Sequence, residues 1–301
     1  MYFSMFAFVL ISTTTLATFR LKEDKVNEQV EVITTKIYPP IPVIKDTASF
    51  PIISAQGALA VDLVTMMPLY EKNPDARLLP ASTTKIITAL VAMEEYDNDD
   101  VFLVNGKNIE GQKMGLITGE KIDFSSLLDG LLIFSANDAA EVLAVNYPGG
   151  RDVFISEMNK KALDLGLNNT NFENPTGFDG GNHRTTSSDL IRVGIAAMEI
   201  PEFAQIVSQK EKVVTSVDGI HVHKLTNTNI LLGQNGILGI KTGWTENARE
   251  NLVTYLEKDG KKIMIALLGS QDRFGETQEI IDWVFDHYQW QDVVYSEVKL
   301  D

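Results

Sequence analysis

Two apolar runs, residues 252–257 and 262–268, flank the pair Asp259-Gly260. That pair tolerates the positive φ a two-residue hairpin turn demands, so the runs read as adjacent antiparallel strands. Near the other end, residues 57–64 read as a buried strand and 67–72 as its hairpin neighbour. Between them run helical periodicities: 83–96 with a broad apolar face, 125–145, 152–165 followed by Gly166 as a C-terminal stop, and 187–199. Residues 275–290 read as a closing helix. Strands at both ends around a helical middle imply an α/β sandwich whose terminal segments share one antiparallel sheet.

At 301 residues and 44% hydrophobic content, the chain can fill a sizeable core. Its formal charge of −15 argues against nucleic acid or an anionic surface as partner, so an anionic substrate must be met by local cations. The absence of cysteine excludes disulfides, Cys-ligated zinc and a thiol nucleophile. Residues 1–19 carry no charged side chain, and charge arrives abruptly at Arg20, Lys22, Glu23, Asp24 and Lys25. This reads as a hydrophobic export signal or a membrane anchor. Only the α-amine supplies positive charge ahead of the apolar run, so cleaved signal and retained anchor both stay open. Residues 20–54 hold Pro39, Pro40, Pro42 and Pro51 without apolar period and read as an extended linker. Residues 55–290 then read as the folded domain and 291–301 as a short tail.

The chain carries Ser82-Thr83-Thr84-Lys85, then Ser135-Ala136-Asn137, then Lys241-Thr242-Gly243. Singly, each has an ordinary structural meaning: a solvated helix turn, a cap, a strand end. In this order they match the signature set of penicillin-binding proteins and β-lactamases. The surrounding words narrow the match: Leu79-Pro80-Ala81 before Ser82, Asp138-Ala139-Ala140 after Asn137, Asn227-Thr228-Asn229, and Gly239-Ile240 before and Trp244-Thr245 after the third motif. Asn174-Pro175-Thr176-Gly177-Phe178 and His183-Arg184-Thr185-Thr186 fall between the second and third motifs. Over roughly residues 55 to 290 the chain resembles the D-alanyl-D-alanine carboxypeptidase family, the low-molecular-weight penicillin-binding proteins.

The resemblance implies a β-lactamase/transpeptidase-like α/β fold, an antiparallel five-stranded sheet flanked by helices with a helical subdomain. It implies a serine enzyme of the cell envelope, acting outside the cytoplasm without cofactor or metal. Such an enzyme removes the terminal D-alanine from peptidoglycan stem pentapeptides through an acyl-enzyme on Ser82, and β-lactam antibiotics inhibit it covalently.

Spaced i, i+3, Ser82 and Lys85 share one helix face and come within hydrogen-bond reach. A serine hydroxyl needs a base, and a lysine serves when its pKa is drawn toward neutrality. The helix N-terminus, a desolvating pocket and the like charge of Lys241 all act in that direction. Lys85 is therefore the candidate general base. By the resemblance, Ser135 relays a proton to the leaving amine, while Asn137 binds the substrate's peptide carbonyl and holds Lys85. Lys241 and Thr242 receive the terminal carboxylate, and Gly243 lets the substrate backbone lie against the strand. The amides of Ser82 and Trp244 form the oxyanion hole.

His221 and His223 would point to one face of a strand, a spacing metal sites use, but no third ligand cluster accompanies them. His183 reads as a structural hydrogen-bonding residue near the site. Arg273 stands where this family often places an arginine that binds the substrate carboxylate; a surface ion pair is the other reading. Three features depart from the family pattern. Met66-Met67-Pro68 replaces a short Gly turn, and Arg249 follows Ala248 where Ala-Gly is usual, a cation expected to line or narrow the cleft. The chain also ends within about a dozen residues of the closing helix, so anchoring is expected from the N-terminus rather than from a second domain. A β-lactamase would carry Ser-Asp-Asn and a Glu-x-x-Leu-Asn segment before Lys241, and neither is present. A D,D-endopeptidase of cross-links is the nearer alternative. An idle wall-binding module is the remoter one, disfavoured by the intact motif side chains.

Overall fold

The computed structural model describes residues 16–17, 32–46, 49–105 and 109–299. Its first half contains β1 (Leu16–Ala17), β2 (Val32–Ile44), β3 (Gly57–Asp62), β4 (Pro68–Lys72), a 3-10 turn over Ala81–Thr84 and helix α1 (Lys85–Glu95). Then come β5 (Val101–Leu103), β6 (Lys121–Asp123), α2 (Phe124–Leu132), α3 (Asn137–Asn146) and α4 (Arg151–Asp164). The second half contains α5 (Ser187–Met198), α6 (Pro201–Val207), β7 (Glu211–Thr215), β8 (Val222–Thr226) and β9 (Ile237–Thr245). It closes with β10 (Arg249–Lys258), β11 (Lys261–Ser270), α7 (Arg273–His287) and β12 (Tyr288–Lys299).

Ser49–Val284 forms one compact unit around a five-stranded antiparallel sheet ordered β4-β3-β11-β10-β9. The N-terminal hairpin and the C-terminal strands meet where β3 pairs with β11, as expected, and β10 and β11 are joined by the turn at Asp259 and Gly260. All six residues of β3 are buried, which requires cover on both sheet faces. Helix α5 packs against β3 and β11. Helix α7 seats Trp283 edge-on to Tyr70 of β4, with ring centroids 6.4 Å apart. Its Glu276 accepts hydrogen bonds from the backbone of Ser54 and Ala55 and from Ser270 Oγ. Helix α1 is buried continuously from Lys85 to Ala92, as befits a helix enclosed by α2, α4 and α5. Strand β9 is the edge of the sheet, with a neighbouring strand on one side only.

The periodicity over 125–145 is not one helix: it breaks between Leu132 and Asn137, where Ser135 takes a φ of 64°. A continuous helix would keep Asn137 inside a ladder; the break places it in the first turn of α3.

The second unit comprises the described residues up to Asp46 and those from Phe285 on. It is a three-stranded antiparallel sheet, β1-β2-β12. This corrects the expected linker over 20–54 and tail over 291–301, since Val32–Ile44 and Tyr288–Lys299 form one long ladder. Two of the prolines that argued against a strand sit at its irregularity: pairing passes from Ile41↔Gln291 to Tyr38↔Val293, so Pro39 and Pro40 oppose Asp292 in a bulge, while Pro42 pairs with Trp290. The segment 1–19, expected to be an export signal or anchor, lies outside the described residues except for Leu16 and Ala17, which pair with Thr35 and Thr34. Among the described residues no helix is long and apolar enough to cross a membrane.

Candidate active site

Ser82 lies in the turn that leads into α1, just after Ala81, whose φ of 46° is a conformation residues with a Cβ rarely take. Lys85 is the first residue of α1 and is fully buried. Its Nζ lies 2.9 Å from Ser82 Oγ, 2.7 Å from Asn137 Oδ1 and 2.7 Å from the Thr176 carbonyl. Burial draws its pKa well below the ordinary lysine value, the charge of Lys241 adds to the effect, and Asp138 opposes it. A neutral amine has two N–H groups and one lone pair. Asn137 Oδ1 and the Thr176 carbonyl can only accept, so they take the two N–H groups and leave the lone pair for the Ser82 hydroxyl proton.

Asn137 is oriented by a loop ahead of α2. Its backbone N–H donates to Gln112 O at 2.8 Å, and its Nδ2 donates to Glu110 O at 2.9 Å, which fixes Oδ1 toward Lys85. The carboxylate of Asp138 holds that loop by accepting from the backbone of Met114, Gly115 and Leu116 at 2.9–3.0 Å. Ser135 is buried and lines the cleft.

Thr176 is presented by a turn organised around Asn174 Oδ1, which accepts from Thr176 N, Thr176 Oγ1, Gly177 N and Phe178 N at 2.7–3.2 Å. A Cβ on Gly177 would stand 1.9 Å from Ala81 O, so only glycine lets this turn press against the nucleophile segment. His183 supports the same wall. Its Nδ1 accepts from Glu173 N at 2.9 Å, which leaves Nε2–H to donate to Thr84 Oγ1 at 2.9 Å. Burial lowers its pKa to about 4, so the ring is neutral and structural, as expected.

Lys241, Thr242 and Gly243 lie on β9 beside the Ala81–Thr84 turn. Lys241 is buried with Nζ donating to Thr242 O at 3.2 Å; burial first and the charge of Arg273 second lower its pKa to about 7. Thr242 Oγ1 lies 2.6 Å from Thr228 Oγ1. Gly243 meets a different neighbour from the one expected. The space a Cβ would fill is occupied by the Pro80–Ser82 backbone, with Ser82 N at 3.0 Å, so its lack of side chain serves strand-to-nucleophile contact. Arg273 is half-buried; its Nη1 donates to Gly243 O at 2.9 Å and its backbone N–H to Glu250 Oε2 at 2.9 Å.

A cleft of about 870 Å³ is lined by Ser82, Ser135, Asn137, Thr242, Gly243, Trp244 and Arg273, with Lys85 and Lys241 buried beneath it. All nine site residues expected from sequence thus converge. Trp244 is 63% exposed and shares the lining with Phe178. Arg249 does not line the cleft; it is the exposed first residue of β10, paired with Thr245, and has a φ of 58°. His221 precedes β8 rather than sharing it with His223, whose ring is held between Met114 O and Glu120 Oε1 at 3.1 and 2.7 Å. Sequence reasoning assigned no role to Thr176, Asn174, Thr228 or the Glu110 carbonyl. The first three lay in words already noted, where turn chemistry was the available signal; the last acts through its backbone and left none.

The family model for D-alanyl-D-alanine carboxypeptidases matches residues 44–272. A D-alanyl-D-alanine carboxypeptidase of Mycobacterium tuberculosis is 33% identical over 242 residues, 77% of this chain and 82% of that one. A D-alanyl-D-alanine endopeptidase of Escherichia coli is 30% identical over 247 residues, covering 79% of each. Among solved structures, a Streptomyces DD-transpeptidase superposes with a TM-score of 0.73 at 30% identity, covering 79% of this chain and all of that one.

Proposed function

The chain belongs to the D-alanyl-D-alanine carboxypeptidase family, and from that premise we propose a residue-level account of its reaction. The enzyme is a serine-type D-Ala-D-Ala carboxypeptidase. Neutral Lys85 takes the Ser82 proton as Oγ attacks the carbonyl of the penultimate D-alanine. The amides of Ser82 and Trp244 receive the oxyanion. As the tetrahedral intermediate collapses, the C–N bond breaks, Ser135 passes a proton to the departing amine, and an ester on Ser82 remains for water to hydrolyse. Lys241, Thr242 and Arg273 bind the carboxylate of the departing D-alanine, and Asn137 the peptide carbonyl of the acyl part. A β-lactam enters the same sequence but its amine cannot leave.

The observation that carries this reading is the placement of Lys85 Nζ among one hydroxyl and two fixed carbonyl oxygens. Mass spectrometry of the protein with benzylpenicillin, and separately with a muropeptide pentapeptide, tests it. The expected result is one adduct on Ser82 and loss of one D-alanine, both absent in Ser82→Ala; an adduct on another residue would sink the assignment.

Similarity to a protein named as an endopeptidase favours a second reading, cleavage of cross-links. A cross-link to a simple side-chain amine has no carboxylate beside the scissile nitrogen, the group that the cations at Lys241 and Arg273 suit, so we favour the terminal cut. Amidating the substrate's C-terminus should lower kcat/KM by about one to two orders of magnitude; equal turnover of acid and amide would favour the endopeptidase. We further propose that residues 1–19 export the chain to the envelope, and fractionation that finds native protein soluble in the cytoplasm would overturn this.

A further inference from the structure

The word Asn227-Thr228-Asn229 has no part in the reaction described so far, yet its geometry is specific. Asn227 Nδ2 donates to Gln209 O at 2.9 Å and Val207 O at 3.3 Å, fastening the segment to the end of α6. Its Oδ1 accepts from Asn229 N at 2.9 Å, and Asn229 Oδ1 accepts from Leu231 N at 3.1 Å. Two asparagines thus pin the backbone on either side of Thr228. The side chain between them is half-buried, lines the cleft, and places Oγ1 2.6 Å from Thr242 Oγ1.

Two hydroxyls in contact hold two protons. One is used inside the pair, because each hydrogen bond has one donor. The other is free, and no second partner for either hydroxyl is found among the described residues. When Thr228 donates to Thr242, the Thr242 oxygen is polarised and its own O–H is directed away from Thr228, which strengthens it as a donor to an anion.

We propose that Thr228 is a positioning and specificity-determining residue for the substrate's terminal carboxylate: it donates to Thr242 and so commits the Thr242 proton to the carboxylate. This rests on the carboxypeptidase reading above. A substrate with a neutral C-terminal amide gains less from the arrangement, because the polarised donor matters most to a full negative charge. Thr228 therefore raises selectivity for free-acid peptides and for β-lactams, which carry a carboxylate at the matching place, without taking part in bond making.

The test compares free-acid and C-terminally amidated pentapeptides with the wild type, Thr228→Val and Thr228→Ser. Valine keeps the branched shape and removes the donor; serine keeps the donor. The expected result for Thr228→Val is a KM for the free acid raised about threefold to tenfold, with kcat and the amide's KM nearly unchanged, and with Thr228→Ser restoring most of the acid-over-amide preference. If Thr228→Val retains the wild-type preference, the role is refuted while the carboxypeptidase reading stands. If both variants lose acid and amide turnover alike, Thr228 is structural and the inference fails. A wild type that treats acid and amide equally overturns the carboxylate reading itself, and the Thr228 role with it.

Discussion

The α-carbon of Gly243 faces the backbone nitrogen of Ser82 so closely that a Cβ would stand 3.0 Å from it. The third motif therefore sets the position of the nucleophile's own amide. Gly243→Ala must push the Pro80–Ser82 segment away by a few tenths of an ångström and misalign a proposed oxyanion donor. Complete loss of such a donor costs about two to three orders of magnitude. We expect acylation of Gly243→Ala by penicillin to slow by about one to two orders, read by stopped-flow, with the protein still folded. An unchanged rate would show that the amide does not hold the oxyanion.

Lys85→Arg keeps a cation at the base position but a guanidinium cannot lose its proton near neutrality. Acylation should be abolished across pH 6 to 9. Near-normal acylation by this variant would refute Lys85 as the base.

The two buried lysines give opposite pH limbs. In the proposed reaction Lys85 acts when neutral, so acylation should rise with pH through its lowered pKa and level off below the usual lysine range. In the proposed binding mode charged Lys241 attracts the substrate carboxylate, so kcat/KM for a free-acid peptide should fall as pH rises through its value of about 7. An amidated peptide should lack the alkaline limb. If both peptides give the same profile, Lys241 is not reading the carboxylate.

Arg249, the exposed first residue of β10, occupies a left-handed conformation, φ 58°, outside the cleft. That conformation costs a residue with a Cβ about 1–2 kcal/mol, partly offset in a glycine variant by about 0.5–1 kcal/mol of extra unfolded-state freedom. Arg249→Gly should stabilise the protein by about 0.5–1 kcal/mol and raise Tm by about 1–4 °C, with peptide turnover unchanged. A lower Tm would mean that the side chain stabilises the start of β10.

Much of this was legible in the sequence for a physical reason. Ser82 and Lys85 are local neighbours three residues apart, where a 3-10 turn runs into α1, and the turn at Asp259-Gly260 is written in residue types that tolerate its backbone. Contacts made by backbone atoms were not legible: the Thr176 and Glu110 carbonyls hold Lys85 and Asn137 through groups every residue carries. Strand β2 was misread because its prolines count against a strand, whereas Pro39 and Pro40 fall at a bulge where no ladder N–H is required.

Asn174 offers a way to change Lys85 without touching it. Its Oδ1 gathers four donors and thereby holds the Thr176 carbonyl on Lys85 Nζ. Asn174→Ala leaves those donors without their acceptor, so the turn should loosen and acylation should fall at every pH by about one order of magnitude or more. Asn174→Asp keeps an acceptor in the same place but adds a negative charge and gives up the Nδ2 bond to Phe178 O. The charge favours the ammonium form of Lys85, so the acid limb of the acylation profile should move to higher pH by about half a unit to one unit, with most of the plateau rate retained. A structural defect lowers the plateau; an electrostatic effect moves the limb. If the aspartate variant lowers the plateau as alanine does and leaves the limb in place, Asn174 merely stabilises the loop and does not tune the base.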